Sequence, residues 1–331
     1  MSSAAGTVAR WLAPFFAIAA FVAVGLPVVS APQVRLASEA NPLAGRPFYV
    51  DPISKAMRAA QASPGNPQLD YVANTPQAYW LDQAFPASTV SGTVSKLVGA
   101  AQGAGATPVL AIYALPHRDC YSFAAGGFGS GDGYRQWIDA ISAGLGGAPA
   151  AIILEPDALA MADCLSGDQR QERFDLIRYA VDTLTRDPAA AVYVDAGHSR
   201  WVDAGEMANR LNQVGIERAR GFSLNTTNYF TTEEQIGYGE AISGMTNGAH
   251  YVIDTSRNGN GPAPDSPLSW CNPPGRALGV PPTTATANPK IDAYLWVKRV
   301  GESDGSCDRG EPSVGTFVNQ YAIDLARNAG K

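Results

Sequence analysis

Seven short apolar runs rich in β-branched and aromatic residues recur along the chain, and they constrain its fold more than any other feature. They occupy residues 78–81, 108–114, 151–154, 191–194, 221–224, 250–253 and 292–297. Longer amphipathic stretches lie between them, for example at 89–101, 134–145 and 171–184, and we expect Asp168 to be the N-cap of the last of these helices. Short strands that alternate with helices are typical of a parallel sheet covered by helices. The sequence therefore predicts an α/β protein with enough strands to form a barrel.

The composition excludes two broad classes of protein. The 331 residues include 24 Lys and Arg against 30 Asp and Glu, a net charge of −6, whereas a nucleic-acid-binding protein normally carries a basic excess. An apolar content of 46% is too high for a disordered chain, which lacks the residues to bury a core. No linker, repeat or low-complexity segment interrupts residues 41–331, so we expect a single domain there.

The N-terminal residues have the pattern of an export signal. A basic residue precedes an apolar run at 11–29, and small residues end the run at Ala31. This pattern predicts a secretory signal peptide over 1–31 and a short polar segment at 32–40, and hence a secreted or extracellular protein. The run is also long enough for an uncleaved membrane anchor, and Pro32 disfavours cleavage before it, so this alternative stays open.

All cysteines of the chain follow this segment. They are Cys120, Cys164, Cys271 and Cys307. An even number in an exported chain predicts disulfides, with three pairings possible. No Cys-x-x-Cys pair is present and the histidines are widely separated, so we expect neither a metal site nor another cofactor.

Polar residues follow almost every predicted strand at its C-terminal end. They are Asp82, Arg118, Asp119, Glu155, Asp157, Asp195, His198, Asn225, Asp254, Arg257 and Lys298. In a βα barrel these ends share one face, and that face carries the active site. A single Asp in this position could simply cap the next helix. So dense a set instead indicates a cleft lined by carboxylates.

Such a cleft suits acid/base hydrolysis, because the chain has no free-thiol candidate, no metal cluster and no Gly-x-Ser-x-Gly elbow. Glycoside hydrolysis requires little more than two carboxyl groups in different environments. Sugars also stack on aromatic rings. Trp201 and Trp270, in loop segments, are the better candidates for this role, whereas Trp296 lies within a strand run and is expected in the core.

Seven segments of the chain, in order, resemble the successive motifs of glycoside hydrolase family 6, the cellulase family of inverting endoglucanases and cellobiohydrolases. The segments are YALPHRDC (113–120), IILEPDALA (152–160), VYVDAGHSRW (192–201), GFSLNTTNY (221–229), HYVIDTSRNGNGP (250–262), WCNPPG (270–275) and AYLWVKRVGESDG (293–305). The resemblance implies a distorted, partly open TIM-like barrel of about seven parallel strands. It also implies that a β-1,4-glucan lies across the C-terminal face of the barrel.

The resemblance assigns catalytic roles to four residues. Asp157 matches the general acid, and Asp119 matches the nearby carboxylate that helps to raise the pKa of that acid. Asp304 matches the usual candidate for the general base, with a water relay to another Asp, such as Asp195, as the alternative. Tyr113 matches the tyrosine that crowds the sugar ring at the cleavage point.

Other matches imply substrate contacts and disulfides. The substrate-binding matches are Asp195, His198, Trp201, Asn225, Trp270, Lys298 and Glu302. The implied disulfides are Cys120 with Cys164 and Cys271 with Cys307. The implied partner is a β-1,4-glucan such as cellulose or a cello-oligosaccharide, acted on by a monomer, with no nucleic acid or protein partner.

Two further observations bear on activity. Only two residues separate Asp304 from Cys307, which predicts a short loop, an open cleft and therefore endo-acting cleavage. Ala125 stands where relatives commonly carry a serine, a hydroxyl thought to hold the attacking water. One alternative, which Ala125 and the possible membrane anchor support, is a non-catalytic or weakly active cell-surface glucan-binding protein on the same fold. Another is a hydrolase of a different β-linked polysaccharide.

Overall fold

The computed structural model describes residues 1–3, 6 and 40–331. The predicted signal peptide or anchor and the polar segment at 32–40 lie, apart from residues 1–3, 6 and 40, outside the described residues. Within the part of the chain that is described, no helix is long and apolar enough to cross a membrane. The following description concerns residues 40–331.

All seven predicted strands are present, and they form one parallel sheet in sequential order. They are β1 (Tyr79–Leu81), β2 (Val109–Ile112), β3 (Ala150–Leu154), β4 (Ala190–Asp195), β5 (Gly221–Leu224), β6 (His250–Asp254) and β7 (Ile291–Leu295). A sheet in which every connection returns in the same direction curls into a barrel. The predicted fold class is confirmed.

The seam between the first and last strands is only partly closed. No ladder pairs β1 with β7 among the described residues. Instead, Ala78 N donates to Trp296 O over 2.9 Å, and Trp80 Nε1 donates to Val297 O over 2.8 Å. These bonds bring the two edges together without continuing the sheet, and the barrel is therefore partly open.

Eight α-helices cover the sheet in the described residues. They are α1 (Lys55–Ala62), α2 (Pro67–Ala73), α3 (Ala87–Gly103), α4 (Gly131–Leu145), α5 (Gly167–Leu184), α6 (Ala204–Gln213), α7 (Thr232–Met245) and α8 (Asn319–Asn328). Most begin at a side chain that accepts a backbone N–H, as Ser130 does from Gly133 N before α4. The predicted N-cap of α5 is wrong: Ser166 caps it in a capping box with Gln169, and Asp168 lies in the first turn.

The strands are buried on both faces, which explains their continuous apolar sequences. One face of the sheet packs against α3 to α7 through large side chains such as Leu110, Ile152 and Phe222. The opposite face, inside the barrel, carries smaller residues such as Ala111, Ala151 and Ala293. Because successive side chains in a strand point to opposite faces, this alternation of size fits a narrow interior and a wider outer layer.

Trp296 belongs to a third core cluster, beneath α1, α2 and α8. It is 1% exposed, its Nε1 donates to Val280 O over 3.0 Å, and the ring of Tyr71 meets its ring edge to face. The expectation that Trp296 is a core residue is confirmed. This cluster covers the seam between β1 and β7.

We expect Trp296→Ala to lower the free energy of unfolding by about 3–5 kcal/mol, because the substitution leaves a cavity in the core. Trp201→Ala is the matched control, since Trp201 is 39% exposed, and it should cost about 0.5 kcal/mol or less. Urea unfolding followed by circular dichroism measures both. Equal losses for the two variants would contradict the structural role of Trp296.

Candidate active site

The loops at the C-terminal ends of the strands hold several non-glycine residues in the left-handed backbone region. Asp119, Glu155, Asp157 and Asn225 have φ of 59°, 52°, 67° and 65°. Such residues cost roughly 1–3 kcal/mol each and persist where surrounding contacts fix them, often at functional sites. The predicted polar strand ends therefore converge on a region whose backbone is set by tertiary contacts.

Asp157 follows β3 and lies half-buried among other carboxyl groups. Its backbone N–H donates to Asp195 Oδ1 over 2.9 Å, while its own Oδ1 is buried without a hydrogen-bond partner among the described residues. Burial raises the pKa of Asp157 well above its ordinary value, and the charges of Asp195 and Asp119 raise it further. A carboxyl group of this kind holds a proton near neutral pH and can donate it.

Asp119 lies in a short turn after β2, where Ala124 N donates to its Oδ2 over 2.8 Å. Burial raises the pKa of Asp119, and the Ala124 N–H and the Arg118 guanidinium partly oppose this rise. Arg118 also lies over the ring of Tyr113, 4.3 Å from the ring centroid, and Trp80 meets that ring edge to face at 5.4 Å. Tyr113 is thus held between a cation and an indole, next to Asp119.

Asp195, which the resemblance matches to a substrate-binding residue, is almost completely buried. Its side chain is 1% exposed, and its oxygens accept from Asp157 N, from Gly197 N over 3.0 Å and from Ser223 Oγ over 2.8 Å. Burial raises the pKa of Asp195 to about 6. Since protein donors occupy both of its oxygens, this carboxylate orients the backbone of Asp157.

Asn225 is also buried, at 0% exposure, and differs in this respect from the expected cleft group. Its Nδ2 donates to Phe230 O and Asp254 O, and its Oδ1 accepts from Phe230 N. All of these contacts fix the loop after β5.

His198 lies against Phe230 and Trp201, with ring centroids 4.2 Å and 5.1 Å away. Burial lowers the pKa of His198 to about 4. It is therefore a neutral ring above about pH 5.

Asp304 is held by two buried cations. Its oxygens lie 2.8 Å from Arg257 Nη1 and 2.7 Å from Lys298 Nζ, and Tyr229 OH donates to it over 3.1 Å. Burial alone would raise the pKa of Asp304, but Arg257 and Lys298 lower it far below its ordinary value. A carboxylate of such low basicity is a weak proton acceptor. The predicted role of Asp304 as base stays a prediction.

Lys298 and Glu302, predicted to bind sugar hydroxyls, are occupied by protein partners. Lys298 pairs with Asp304, and Glu302 Oε1 lies 3.0 Å from Lys55 Nζ, with Arg299 Nη2 2.9 Å from its other oxygen. Both side chains are less than 10% exposed. The two candidate platforms are the accessible ones, since Trp201 and Trp270 are 39% and 42% exposed.

Several residues of this region were not assigned roles from the sequence. Glu155 and Arg257 were visible as polar strand ends, but only the structure gives them partners: Glu155 accepts from Ala114 N and Leu115 N over 3.1 Å and 3.3 Å. Phe123 meets Trp270 with ring centroids 5.9 Å apart. Arg173 lies within α5, where an arginine carries no sequence signal for a site.

Both disulfides that the resemblance implied are present, Cys120–Cys164 and Cys271–Cys307. The first joins the Asp119 turn to the segment that follows Asp157. The second joins the Trp270 loop to the segment that follows Asp304. No cluster of three His, Cys, Asp or Glu side chains that could hold a metal ion occurs among the residues described.

Comparison with known proteins identifies relatives across most of the chain. The family model described as glycosyl hydrolases family 6 matches residues 39–329. Endoglucanase A of Cellulomonas fimi is 46% identical over 284 residues, which cover 85% of this chain and 61% of that protein. Endoglucanase 1 of Streptomyces halstedii is 38% identical over 321 residues, which cover 93% of this chain and 96% of that protein.

A solved structure is similar as well. The endoglucanase Cel6 from Mycobacterium tuberculosis, in complex with methyl-cellobiosyl-4-deoxy-4-thio-β-D-cellobioside, has 73% sequence identity and a TM-score of 0.87. The alignment covers 88% of this chain and all of that one. This chain nevertheless spans only 61% and 62% of the length of the first two curated relatives.

We expect Asp304→Asn to lower the free energy of unfolding by about 3–5 kcal/mol at pH 7, because it leaves Arg257 and Lys298 buried without an anion. The folded pKa of Asp304 is lowered, so its contribution is present above the unfolded pKa of about 4 and is lost as pH falls toward the folded value. The difference between variant and wild type should therefore shrink by up to about 1.4 kcal/mol per pH unit below pH 4.

The control is Asp324→Asn, which breaks an ion pair with Arg327 whose side chains are 62% and 49% exposed. It should cost less than about 1 kcal/mol. Urea unfolding at pH 7 and pH 3 measures both variants. A pH-independent difference for Asp304→Asn would show that its charge does not stabilise the fold.

Proposed function

Because this chain belongs to glycosyl hydrolase family 6, we propose that it is an endo-acting β-1,4-glucanase that hydrolyses internal bonds of cellulose chains with inversion. The observation that carries this proposal is Asp157, a carboxyl group whose pKa is raised by burial and by neighbouring carboxylates at the C-terminal face of the barrel. A protein that only binds glucan has no use for a protonated carboxyl group at this position. The activity and substrate names of the relatives support the same reading.

In the proposed reaction the glucan lies across the C-terminal face, with sugar rings stacked on Trp201 and Trp270. Asp157 donates its proton to the glycosidic oxygen as the bond from that oxygen to the anomeric carbon breaks. Asp195 holds the backbone of Asp157 in place. The anionic form of Asp119, next to Tyr113, offsets the positive charge that develops on the sugar ring.

Inversion requires a water that attacks from the opposite face and loses a proton to a base. Two cations make Asp304 a weak acceptor, whereas the pKa of Asp119 is raised. We therefore favour transfer of this proton through water to the anionic form of Asp119 rather than to Asp304. In this scheme Asp304 anchors Lys298 and Arg257 beside the sugar.

Export, assembly and mode of attack are part of the proposal. The apolar run at 11–29 supports secretion, with retention as a membrane anchor as the alternative. We propose that the enzyme acts as a monomer. The N-terminal residue of the mature protein, identified by mass spectrometry, distinguishes the two. The short segment between Asp304 and Cys307 supports an open cleft, and hence cleavage at internal positions.

We expect Asp157→Ala to lower turnover of carboxymethylcellulose by about 10²–10⁴-fold with glucan binding largely retained, because it removes the general acid. Viscosity loss and reducing-end release are measured together, and a fast fall in viscosity per bond cleaved identifies endo attack. Turnover within a few-fold of wild type would refute the acid assignment. Glucan binding without hydrolysis by the wild type would favour the binding-protein alternative, with Ala125→Ser as the first variant to test.

The inverting mechanism predicts that the first product carries an α-configured anomeric carbon. Proton NMR of a cello-oligosaccharide digest resolves the anomeric signals before mutarotation mixes them. The α signal should rise first, and the β signal should follow at the rate of mutarotation. Initial release of the β-anomer would indicate a retaining mechanism and a nucleophilic carboxylate instead.

A further inference from the structure

We propose that Arg173 is a positioning residue that fastens the loop carrying Asp119 to the loop carrying Asp157, in parallel with the Cys120–Cys164 disulfide. This inference rests on the proposed function for its kinetic consequence, but the fastening itself is a property of the loops. The sequence gives no sign of it, since Arg173 lies nine residues from the nearest cysteine of that disulfide, well inside α5.

The contacts of Arg173 reach both loops at once. Its side chain is almost fully buried, with the residue 3% exposed. Nη1 donates to Ala158 O over 3.0 Å, next to Asp157, and Nη2 donates to His117 O over 2.7 Å, two residues before Asp119. A planar guanidinium holds two such donors at a fixed spacing, which a lysine ammonium at the end of a flexible stem does not.

The loops require fastening of this kind because their backbones are strained. His117, Asp119 and Asp157 all have positive φ, at 56°, 59° and 67°. Without contacts from outside, each would relax toward ordinary backbone conformations. Arg173 fixes the carbonyl groups beside these residues, and so fixes the directions of the two carboxyl groups.

The charge of Arg173 also faces the carboxyl groups. The hydrogen bonds of Arg173 are to carbonyl groups, and its Nε has no hydrogen-bond partner among the described residues. Arg173 lines a cavity of about 10 Å³ together with Asp119, Glu155 and Asp157. Its charge lowers the pKa of Asp119, which Arg118 also lowers, against the rise caused by burial. Asp157 and Tyr113 also interact electrostatically with Asp119.

The disulfide spans the same two loops. Cys120 follows Asp119 directly, and Cys164 ends the short helix Ala160–Cys164 that follows Asp157. Two fasteners in parallel predict that the loss of either leaves the loops partly held. The loss of both should cost more than the two single losses combined, which is the measurable sign of coupling.

The test compares Arg173→Met and Arg173→Lys, each with the disulfide intact and with Cys120→Ser/Cys164→Ser. Arg210→Met is the matched control, because Arg210 is also 3% exposed and donates to Leu159 O over 2.7 Å, yet its polar contacts do not include the Asp119 loop. We expect Arg173→Met to lower kcat by about 10- to 100-fold with little change in KM, since misplacement of catalytic groups by about 1 Å has this effect.

The pH profile separates positioning from general destabilisation. With the guanidinium gone the pKa of Asp119 rises, so the acidic limb of kcat/KM should move to higher pH in Arg173→Met. The limb should stay in place in Arg173→Lys, which keeps the charge and should recover part of kcat. An equal shift in Arg210→Met, or an unmoved limb in Arg173→Met, would overturn the proposal.

Hydrogen exchange of the amides at 117–126 tests the fastening without any assay of hydrolysis. We expect faster exchange in Arg173→Met than in wild type or Arg210→Met, and a further increase when the disulfide is also removed that exceeds the product of the single effects. Multiplicative effects would refute the parallel arrangement.

If the wild type hydrolyses no glucan, the proposed function fails, and the exchange data still decide whether Arg173 fastens the loops. If Arg173→Met does not fold, Arg173→Lys carries the exchange test, because a lysine ammonium does not hold the two carbonyl groups at a fixed spacing. Exchange at 117–126 no faster than in wild type would then refute the fastening.

Discussion

The structure depends on placing several carboxyl groups together in a buried region while allowing only some of them to be charged. Burial and the neighbouring carboxyl groups of Asp195 and Asp119 raise the pKa of Asp157, whereas Arg257 and Lys298, within ion-pair distance, lower the pKa of Asp304. Like charges in a region of low dielectric cannot all ionise, and an adjacent cation decides which of them does. The distribution of cations among the strand ends therefore shifts the pKa values of chemically identical side chains in opposite directions.

Hydrogen bonds from backbone N–H groups fix where these carboxyl groups lie. Glu155 accepts from the two residues that follow Tyr113, and Asp195 accepts from the backbone of Asp157. Burial raises the pKa of Glu155 to about 7, so its ability to accept these bonds as an anion is limited to the upper part of the physiological pH range. The geometry of the site is thus built from side-chain to backbone bonds between neighbouring strand ends rather than from contacts between the reacting groups themselves.

The sequence predicts the strands well because each is buried on both faces and leaves a continuous apolar run, as at β3 and β6. It also identifies the face where the strands end. It does not predict how deep a polar side chain lies, and Asp195 and Asn225, expected at the cleft surface, are buried and bonded to the backbone. That depth depends on the loop conformations, which tertiary contacts impose.

An arginine within an amphipathic helix such as α5 is expected to be a surface residue, so Arg173 could not be recognised without the structure. The prediction of Asp168 as the N-cap of α5 is wrong for a more local reason, because Ser166 and Asp168 are both good capping residues and only the capping box with Gln169 distinguishes them.

The incomplete seam between β1 and β7 has a mechanical consequence. Elsewhere adjacent strands share a ladder of hydrogen bonds, and separating them means breaking several bonds at once. At the seam no ladder forms among the described residues, and the edges are joined by the bonds from Ala78 N to Trp296 O, from Trp80 Nε1 to Val297 O and from Val300 N to Gln77 Oε1. The Trp296 cluster packs outside them. The barrel therefore has a compliant line between β1 and β7, along which it deforms more easily than across the ladders that join the other strands.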